Sequence, residues 1–187
     1  MVVKVTAGAK GQGVAHSQAF DSWLMNVPGL KVVAPSTPAD AYGLLKSAIR
    51  DEDPVVFIDH KRLFPKAGWV PDDEELVPLG KASISRRGRD LTIVAHSYMA
   101  FVAREAARKL EGDGISCDLV DLRSLWPLDI DTIVSSVEGT RTVLFVEEGQ
   151  PVCGVGAELA FQVSERVSGL RVPSRRRRTG KRSAIST

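Results

Sequence analysis

The chain has 187 residues, 43% hydrophobic and 26% charged, which is the balance of a globular protein and excludes a disordered or fibrous one. No apolar run approaches the roughly 20 residues that span a bilayer, and the first residues lack the apolar core of a secretory signal. Two cysteines, Cys117 and Cys153, are too few for a disulfide framework and have no metal-motif spacing. A reducing, cytoplasmic location is therefore expected.

A basic tail sets the sign of the net charge, which is +2 for the whole chain. Residues 170–187 contain seven Lys or Arg and no acid, which leaves 18 basic and 23 acidic residues elsewhere. The tail has no apolar period and is expected to be disordered. Its run of arginines at 175–178 could bind nucleic acid by charge. Because no aromatic residues lie among them, a disordered tail or a translation artefact is favoured.

The first region, residues 1–62, alternates apolar strands with amphipathic helices. VVKV, LKVVAP and PVVFID are predicted strands. The predicted helices are HSQAFDSWLMNVPG and PADAYGLLKSAIRD, the second capped by Ser36 or Thr37 with Pro38 in its first turn. Strand, helix and strand in this order predict a parallel βαβ unit. The apolar residues at helical spacing are Phe20, Trp23, Leu24 and Val27 in the first helix and Leu44, Leu45, Ala48 and Ile49 in the second.

The second region, residues 63–89, is predicted to be a connector, because it holds three prolines and the acidic run DDEE, with at most a short strand near KASISR. Residues 90–169 return to the α/β rhythm. The predicted strands are DLTIVAH, ISCDLVDLR and TVLFVEEG, each followed by a predicted helix, with Ser97 as the cap of the first. Three strands alternating with three helices predict an open, mostly parallel sheet.

Five segments in a fixed order carry a family resemblance. They are HSQ, PGLKVVAPSTPADAYGLLKSAIRDEDPVVF, VPLGKA, VDLRSLWPLD and GVGAEL. From Met1 to Gly169 the chain resembles the beta subunit of the decarboxylating component of 2-oxo-acid dehydrogenase complexes, whether of the pyruvate, branched-chain or acetoin type. The resemblance implies an α/β, transketolase-like fold with mostly parallel sheets. The second half of a transketolase-like pyrimidine-binding domain would occupy residues 1–62, and a transketolase C-terminal domain would occupy 90–169.

The same resemblance implies a cofactor and partners. Thiamine diphosphate would lie between this chain and an alpha subunit in an α2β2 assembly. The substrate would be a small 2-oxo acid, and the acyl group would pass to a lipoyl-bearing acyltransferase. The family's N-terminal portion, with its cofactor-contacting glutamate, is expected to be missing here. The sequence after LRVP departs from the family pattern, and a frameshift would explain the departure.

His16 is the candidate catalytic residue. It follows the glycine-rich stretch GAKGQG and begins a predicted helix, and a histidine can exchange a proton near neutral pH. On composition alone a capping or surface histidine is the commoner outcome. By resemblance, the histidine of the HSQ motif lies near the thiazolium ring and would assist reductive acyl transfer to the lipoyl sulfur.

Ala48, Ile49, Asp51 and Asp53 are the candidate metal-binding residues, because they resemble a monovalent-cation loop found in several family members. A helix end leaves carbonyl oxygens free, and oxygen ligands suit a hard cation. The ligands would be mostly carbonyl oxygens with the Asp53 side chain, and the ion would be a structural potassium. An ordinary helix end with solvated acids is an equally good interpretation.

The remaining polar and glycine-rich features are predicted to be structural. GAKGQG could cradle a phosphate with Lys10, but by resemblance it is a flexible approach to His16. The GVG before the last predicted helix indicates close packing of that helix on its strand. The other residues considered and left without a catalytic role are His60, His96, Cys117, Glu147 and Glu148, the two glutamates as a solvated strand end or a subunit contact.

Three alternatives to a 2-oxo-acid dehydrogenase stay open on sequence alone. One is an acetoin dehydrogenase beta subunit, which uses the same cofactor on a different ketone. Another is a non-catalytic fragment whose open sheet edge invites pairing with another chain. The third is a nucleic-acid-binding module driven by the basic tail, although neither nucleic acid nor membrane is the expected partner.

Overall fold

A computed structural model describes residues 1–8, 13, 17–73, 75–150 and 152–172. In chain order its elements are β1 (Val2–Ala7), α1 (Asp21–Met25), β2 (Lys31–Val33), α2 (Pro38–Arg50), β3 (Val55–His60), β4 (Ser83–Arg86), β5 (Leu91–Ala95), α3 (Ser97–Gly112), β6 (Cys117–Asp121), β7 (Ser124–Trp126), α4 (Ile130–Thr140), β8 (Val143–Val146) and α5 (Val155–Arg166). The strands form two four-stranded sheets, ordered β1-β3-β2-β7 and β4-β6-β5-β8. No helix of the described ranges is long and apolar enough to cross a membrane.

The first sheet contains the predicted parallel βαβ unit. β1 and β2 both pair in parallel with β3, which lies between them, and α2 connects β2 to β3. Thr37 caps α2 by accepting a hydrogen bond from the backbone N–H of Asp40 at 3.1 Å, and Pro38 begins the helix, as the sequence predicts. Ile49 does not belong to the buried face: it is 65% exposed, whereas Leu44 and Ala48 are fully buried.

The helix predicted after the HSQ motif is shorter than expected. α1 has only five residues, and the turn from Asn26 to Gly29 follows it. Trp23 is 73% exposed and Val27 is also exposed, so the predicted apolar face of this helix is wrong at those two positions. Of the four apolar residues predicted to form this face, only Leu24, which is partly buried, packs against the core.

The second sheet has the predicted order of strands and helices. β5 pairs in parallel with β6 on one side and with β8 on the other, and β4 adds an antiparallel edge strand. The predicted cap of α3 is wrong: His96 holds the N-cap position, and Ser97 is the first helical residue, with φ of 50°. The Ser97 hydroxyl is buried and finds no hydrogen-bond partner among the described residues.

A strand that the sequence did not predict joins the two sheets. β7 follows β6 after two residues but pairs antiparallel with β2, so the chain crosses from the second sheet to the first. One apolar cluster accordingly contains Val56 and Ile58 from the first sheet and Val94 and Val120 from the second. The carboxyl ends of β1, β3, β5 and β8 therefore come together across a shared core.

Order extends slightly into the region predicted as a tail. Arg171 forms a parallel bridge with Thr142, and its carbonyl accepts a hydrogen bond from the N–H of Val143 at 3.0 Å. The prediction of a disordered segment beginning at residue 170 is therefore wrong at its start. Residues 173–187, with the arginine run, lie outside the described residues.

Candidate active site between the two sheets

The candidate active site is a small cavity at the carboxyl ends of the parallel strands. Gly8 follows β1, His60 ends β3, His96 follows β5, and Glu148 lies just after β8. Asp21 at the start of α1 and Tyr98 in the first turn of α3 also line the cavity. Open α/β sheets place their binding sites at this edge, where the ends of several strands present side chains to one crevice.

His60 bridges the two sheets. Its ring is only 5% exposed and stacks on Tyr98, with ring centroids 4.9 Å apart and an interplanar angle of 15°. Nε2 lies 2.5 Å from Oε2 of Glu148, and Nδ1 accepts a hydrogen bond from the backbone N–H of Arg62 at 3.1 Å. The sequence left His60 without a role, and its contact with a residue 88 positions away could not be seen there.

His96 forms a second buried contact between the sheets. Its Nε2 lies 3.7 Å from Oδ2 of Asp21, which is an ion contact longer than a hydrogen bond. Burial alone would lower the pKa of His96, but Asp21, Glu147 and Asp121 outweigh burial and raise that pKa above its ordinary value. Burial alone would raise the pKa of Asp21, but the contact with His96 brings it below its ordinary value.

Gly8, at the start of the glycine-rich stretch, lines this cavity. The backbone N–H of Gly8 donates to the carbonyl of Gln18 at 3.1 Å, which holds the two ends of the stretch together. His16 itself lies outside the described residues, so its side chain has no described place. Its neighbour Ser17 is described, and the prediction for His16 stays a prediction.

Glu147 and Glu148 are not a solvated strand end. Glu147 accepts a hydrogen bond from the backbone N–H of Gly156 at 3.1 Å and so caps the start of α5. A Cβ on Gly154 would lie 2.4 Å from Oε1 of Glu147, and one on Gly156 would lie 3.2 Å from the Cβ of Phe145. The glycines of GVG therefore permit close packing of helix on strand, as the sequence indicated, and Glu148 faces His60.

The candidate cation loop lies at the opposite end of β3. The carbonyl of Ala48 accepts from the N–H of Asp51 at 3.4 Å, and Ile49 points to solvent. Nζ of Lys31 lies 2.8 Å from Asp51 and 3.1 Å from Asp53. The hydrogen bond with Lys31 lowers the pKa of Asp51, and the same bond raises the pKa of Lys31. Sequence reasoning missed Lys31, whose ammonium offsets one of the two negative charges of this acidic pair.

The described residues of the two candidate sites form no ready-made transition-metal centre. Among the described ranges no group of three or more His, Cys, Asp or Glu side chains is placed to hold a metal ion. The cavity and the cation loop lie at opposite ends of β3, and His16 lies outside the described residues. The two sets of predicted residues are therefore two separate hypotheses.

Comparison with known proteins supports the transketolase-like architecture. The family described as the transketolase C-terminal domain matches residues 80–180, and the transketolase pyrimidine-binding domain matches residues 1–66. Among solved structures, a split-gene transketolase described as an inactive beta4 tetramer aligns with a TM-score of 0.77 at 28% identity, over 91% of this chain and 55% of that one.

Curated relatives at higher identity are beta subunits of dehydrogenases. The acetoin:2,6-dichlorophenolindophenol oxidoreductase subunit beta of Cupriavidus necator is 43% identical over 90% of this chain and 50% of its own length. The pyruvate dehydrogenase E1 component subunit beta of Porphyra purpurea is 46% identical over 88% and 50%, and the 2-oxoisovalerate dehydrogenase subunit beta of Bacillus subtilis is 43% identical over 88% and 51%. The chain thus spans about half the length of the curated relatives it matches. With its mixed α/β sheets and the match over 80–180, the chain belongs to the transketolase C-terminal domain family, preceded by a transketolase pyrimidine-binding segment.

Proposed function

We propose that the chain is a portion of the beta subunit of a thiamine-diphosphate-dependent 2-oxo-acid dehydrogenase. The activity would be oxidative decarboxylation of pyruvate or a branched-chain 2-oxo acid, with transfer of the acyl group to a lipoyl group. The observation that carries the proposal is the cavity at the carboxyl ends of the strands. Gly8, which begins the glycine-rich stretch before His16, lies there beside two histidines and two carboxylates. Within the subunit, residues 1–62, 63–89 and 90–169 would be the pyrimidine-binding portion, the connector and the C-terminal domain.

The described lining of the cavity fits one wall of a shared cofactor site and not a diphosphate-binding site. It offers imidazole, carboxylate and phenol groups, and none of its described residues is Lys or Arg. The diphosphate would accordingly be held by the alpha subunit, and we assign no cofactor ligand in this chain. Thiamine diphosphate, when bound, supplies the electron sink for decarboxylation.

His16 is the residue of this chain that we propose to act in the reaction. An imidazole at position 16 would donate and accept the proton that acyl transfer to the lipoyl sulfur requires. The carboxylates of Asp21 and Glu148 lie against the two buried histidines, so they are occupied in building the wall. The proton exchange would therefore fall to His16.

The proposed partners are an alpha subunit, giving an α2β2 assembly, and a lipoyl-bearing acyltransferase. We propose a cytoplasmic location, in keeping with the free thiols of Cys117 and Cys153, although some relatives, such as that of Pisum sativum, are mitochondrial. A structural potassium ion at the Ala48–Asp53 loop is part of the proposal. It would have to compete with Lys31 for the Asp53 carboxylate.

The deciding experiment is co-expression of the 187-residue chain with its alpha subunit. Carbon dioxide release would be measured with pyruvate and a branched-chain 2-oxo acid, and acyl transfer to a lipoyl domain would be followed separately. We expect the wild-type complex to turn over and His16→Ala to lower the rate of acyl transfer by about a hundredfold. Glu165→Gln, at an exposed site on α5, is the matched control. An assembled complex with bound thiamine diphosphate and no turnover on any 2-oxo acid would refute the proposal.

Two alternatives have observations of their own. The acetoin oxidoreductase relative, 43% identical over 90% of the chain, favours acetoin as a substrate, and the same assembly assayed with acetoin and 2,6-dichlorophenolindophenol tests it.

A non-catalytic fragment is favoured by the open edge of the first sheet, where β1 pairs only with β3 among the described strands. Self-association of the chain without an alpha subunit, measured by analytical ultracentrifugation, would support that reading.

A further inference from the structure

The hydrogen bonds of His60 fix which ring nitrogen carries the proton. Nδ1 accepts from the backbone N–H of Arg62 at 3.1 Å, so it has no hydrogen of its own in this arrangement. The hydrogen therefore sits on Nε2, which faces the carboxylate oxygen of Glu148 at 2.5 Å. His60 is thus a donor to Glu148, and the backbone that turns after β3 sets this direction.

The surroundings of the ring hold it in one position. One face stacks on Tyr98, which in turn stacks on Phe101 with centroids 6.0 Å apart. The Nε2 edge lies so close to Gly8 that a Cβ there would be 1.9 Å from Nε2. Gly8 has φ of 90°, so both the backbone conformation and the space require glycine. His60 consequently supports the stem of the glycine-rich stretch directly.

We infer that His60 is a positioning residue, which donates from Nε2 to Glu148 and with it braces Gly8, where the segment containing His16 begins. The residue touches no substrate in this role and acts through Gly8 and Glu148. The inference rests on the proposed function for its catalytic consequence. The direction of the hydrogen bond in the His60–Glu148 dyad, from Nε2 to the carboxylate, is argued from the described contacts alone.

The tautomer is tested on the full chain by NMR. The chain has three histidines, so the loss of one set of ring signals in His60→Gln assigns His60 in long-range ¹H–¹⁵N spectra. We expect the pattern of a proton on Nε2 and a bare Nδ1. A proton on Nδ1, in either the other neutral tautomer or the doubly protonated ring, would overturn the inference, whatever the enzyme's activity.

The positioning role is tested on the complex with the alpha subunit. Glutamine can place an N–H where Nε2 stands, whereas leucine has similar bulk and no donor. We expect His60→Leu to lower kcat by about tenfold with little change in KM, and His60→Gln to stay within about threefold of the wild type. Equal losses in the two folded variants, or a loss confined to KM, would overturn the role. Absence of turnover in the wild-type complex would count against the proposed function, while the NMR result would still decide the dyad.

Discussion

His96 and Asp21 form the buried contact between the two sheets that has the clearest consequence for stability. Their Nε2 and Oδ2 atoms are 3.7 Å apart, and the residues are 4% and 8% exposed. His96 follows β5, whereas Asp21 begins α1, so the pair joins the second sheet to the short helix that follows the HSQ motif. The pKa of His96 is raised and that of Asp21 is lowered, as expected when each charge favours the other.

This pair predicts that the free energy of unfolding falls as the pH rises above the ordinary histidine pKa of about 6.5. A histidine whose folded pKa is raised stabilises the fold fully below its unfolded pKa of about 6.5, and that stabilisation is lost as the pH rises through the folded value. Asp21, with a lowered pKa, contributes above about pH 4 and loses its contribution on further acidification. Urea unfolding at a series of pH values should show this decline above about pH 6.5 in the wild type and a flatter profile in His96→Gln. Parallel profiles for the two proteins would contradict the pair's role.

Gly8→Ala is predicted to be strongly destabilising because two costs add. The residue has φ of 90°, and the new Cβ would lie 1.9 Å from Nε2 of His60. Gly29 has φ of 81° but nothing within 4 Å of a Cβ, so Gly29→Ala pays the backbone cost alone, about 1 kcal/mol. We expect Gly8→Ala to lose about 2 kcal/mol more than this control in the free energy of unfolding. Equal losses would mean that the His60 ring moves away at no cost.

The sequence predicts most of the strands and helices because their signals are local. Alternating apolar runs, the Thr37 cap and Pro38 locate β2, α2 and β3 without reference to the rest of the chain. β7 was not predicted because it has only three residues, lacks alternating apolar and polar side chains, and pairs with a strand almost a hundred residues earlier. The apolar face of α1 was predicted wrongly because tertiary packing decides whether Trp23 is exposed, and helical spacing carries no information on that packing.

The candidate site was less accessible to sequence reasoning than the fold. His16 came from a motif, whereas the contacts of His60 with Glu148 and of His96 with Asp21 join residues 88 and 75 positions apart. Neither partner carries a local signal: Glu148 lies two residues beyond the end of β8, and Asp21 is an acidic residue in the first turn of a short helix. Only the meeting of strand ends across two sheets makes these residues neighbours.

Potassium is predicted to stabilise the complex through Asp53 if the cation loop is occupied. The Asp53 side chain is 62% exposed and shares Lys31 with Asp51, so it is the carboxylate most easily turned towards an ion. Thermal unfolding of the complex in potassium chloride and in choline chloride of equal strength should differ for the wild type. The difference should vanish in Asp53→Ala and persist in Asp73→Ala, an exposed acid in the connector. A potassium effect that survives Asp53→Ala would remove Asp53 from the site.

Arg104 is predicted to be the polar residue on which the junction of the two sheets most depends. Nη1 lies 3.3 Å from Oδ2 of Asp121 in the second sheet, and Nη2 donates to the carbonyl and hydroxyl oxygens of Ser36, just after β2, at 3.2 and 2.9 Å. Asp121 is 1% exposed, and burial raises its pKa even though Ser36 and Arg104 oppose the effect. Removing the guanidinium would leave this carboxyl buried with one partner fewer.

We therefore expect Arg104→Met to lower the free energy of unfolding by about 2 kcal/mol, less than for a fully buried pair because the Arg104 side chain is 20% exposed. Arg108→Met on the same helix is the matched control. Arg108 pairs with Glu105 on the surface, with 66% of its side chain exposed, so its loss should cost no more than about 0.5 kcal/mol. Since protonating Asp121 removes the unpaired charge, the deficit of Arg104→Met should shrink as the pH is lowered. A deficit that is the same at pH 5 and pH 8 would show that the lost packing of the arginine stem, and not the buried charge of Asp121, accounts for the effect.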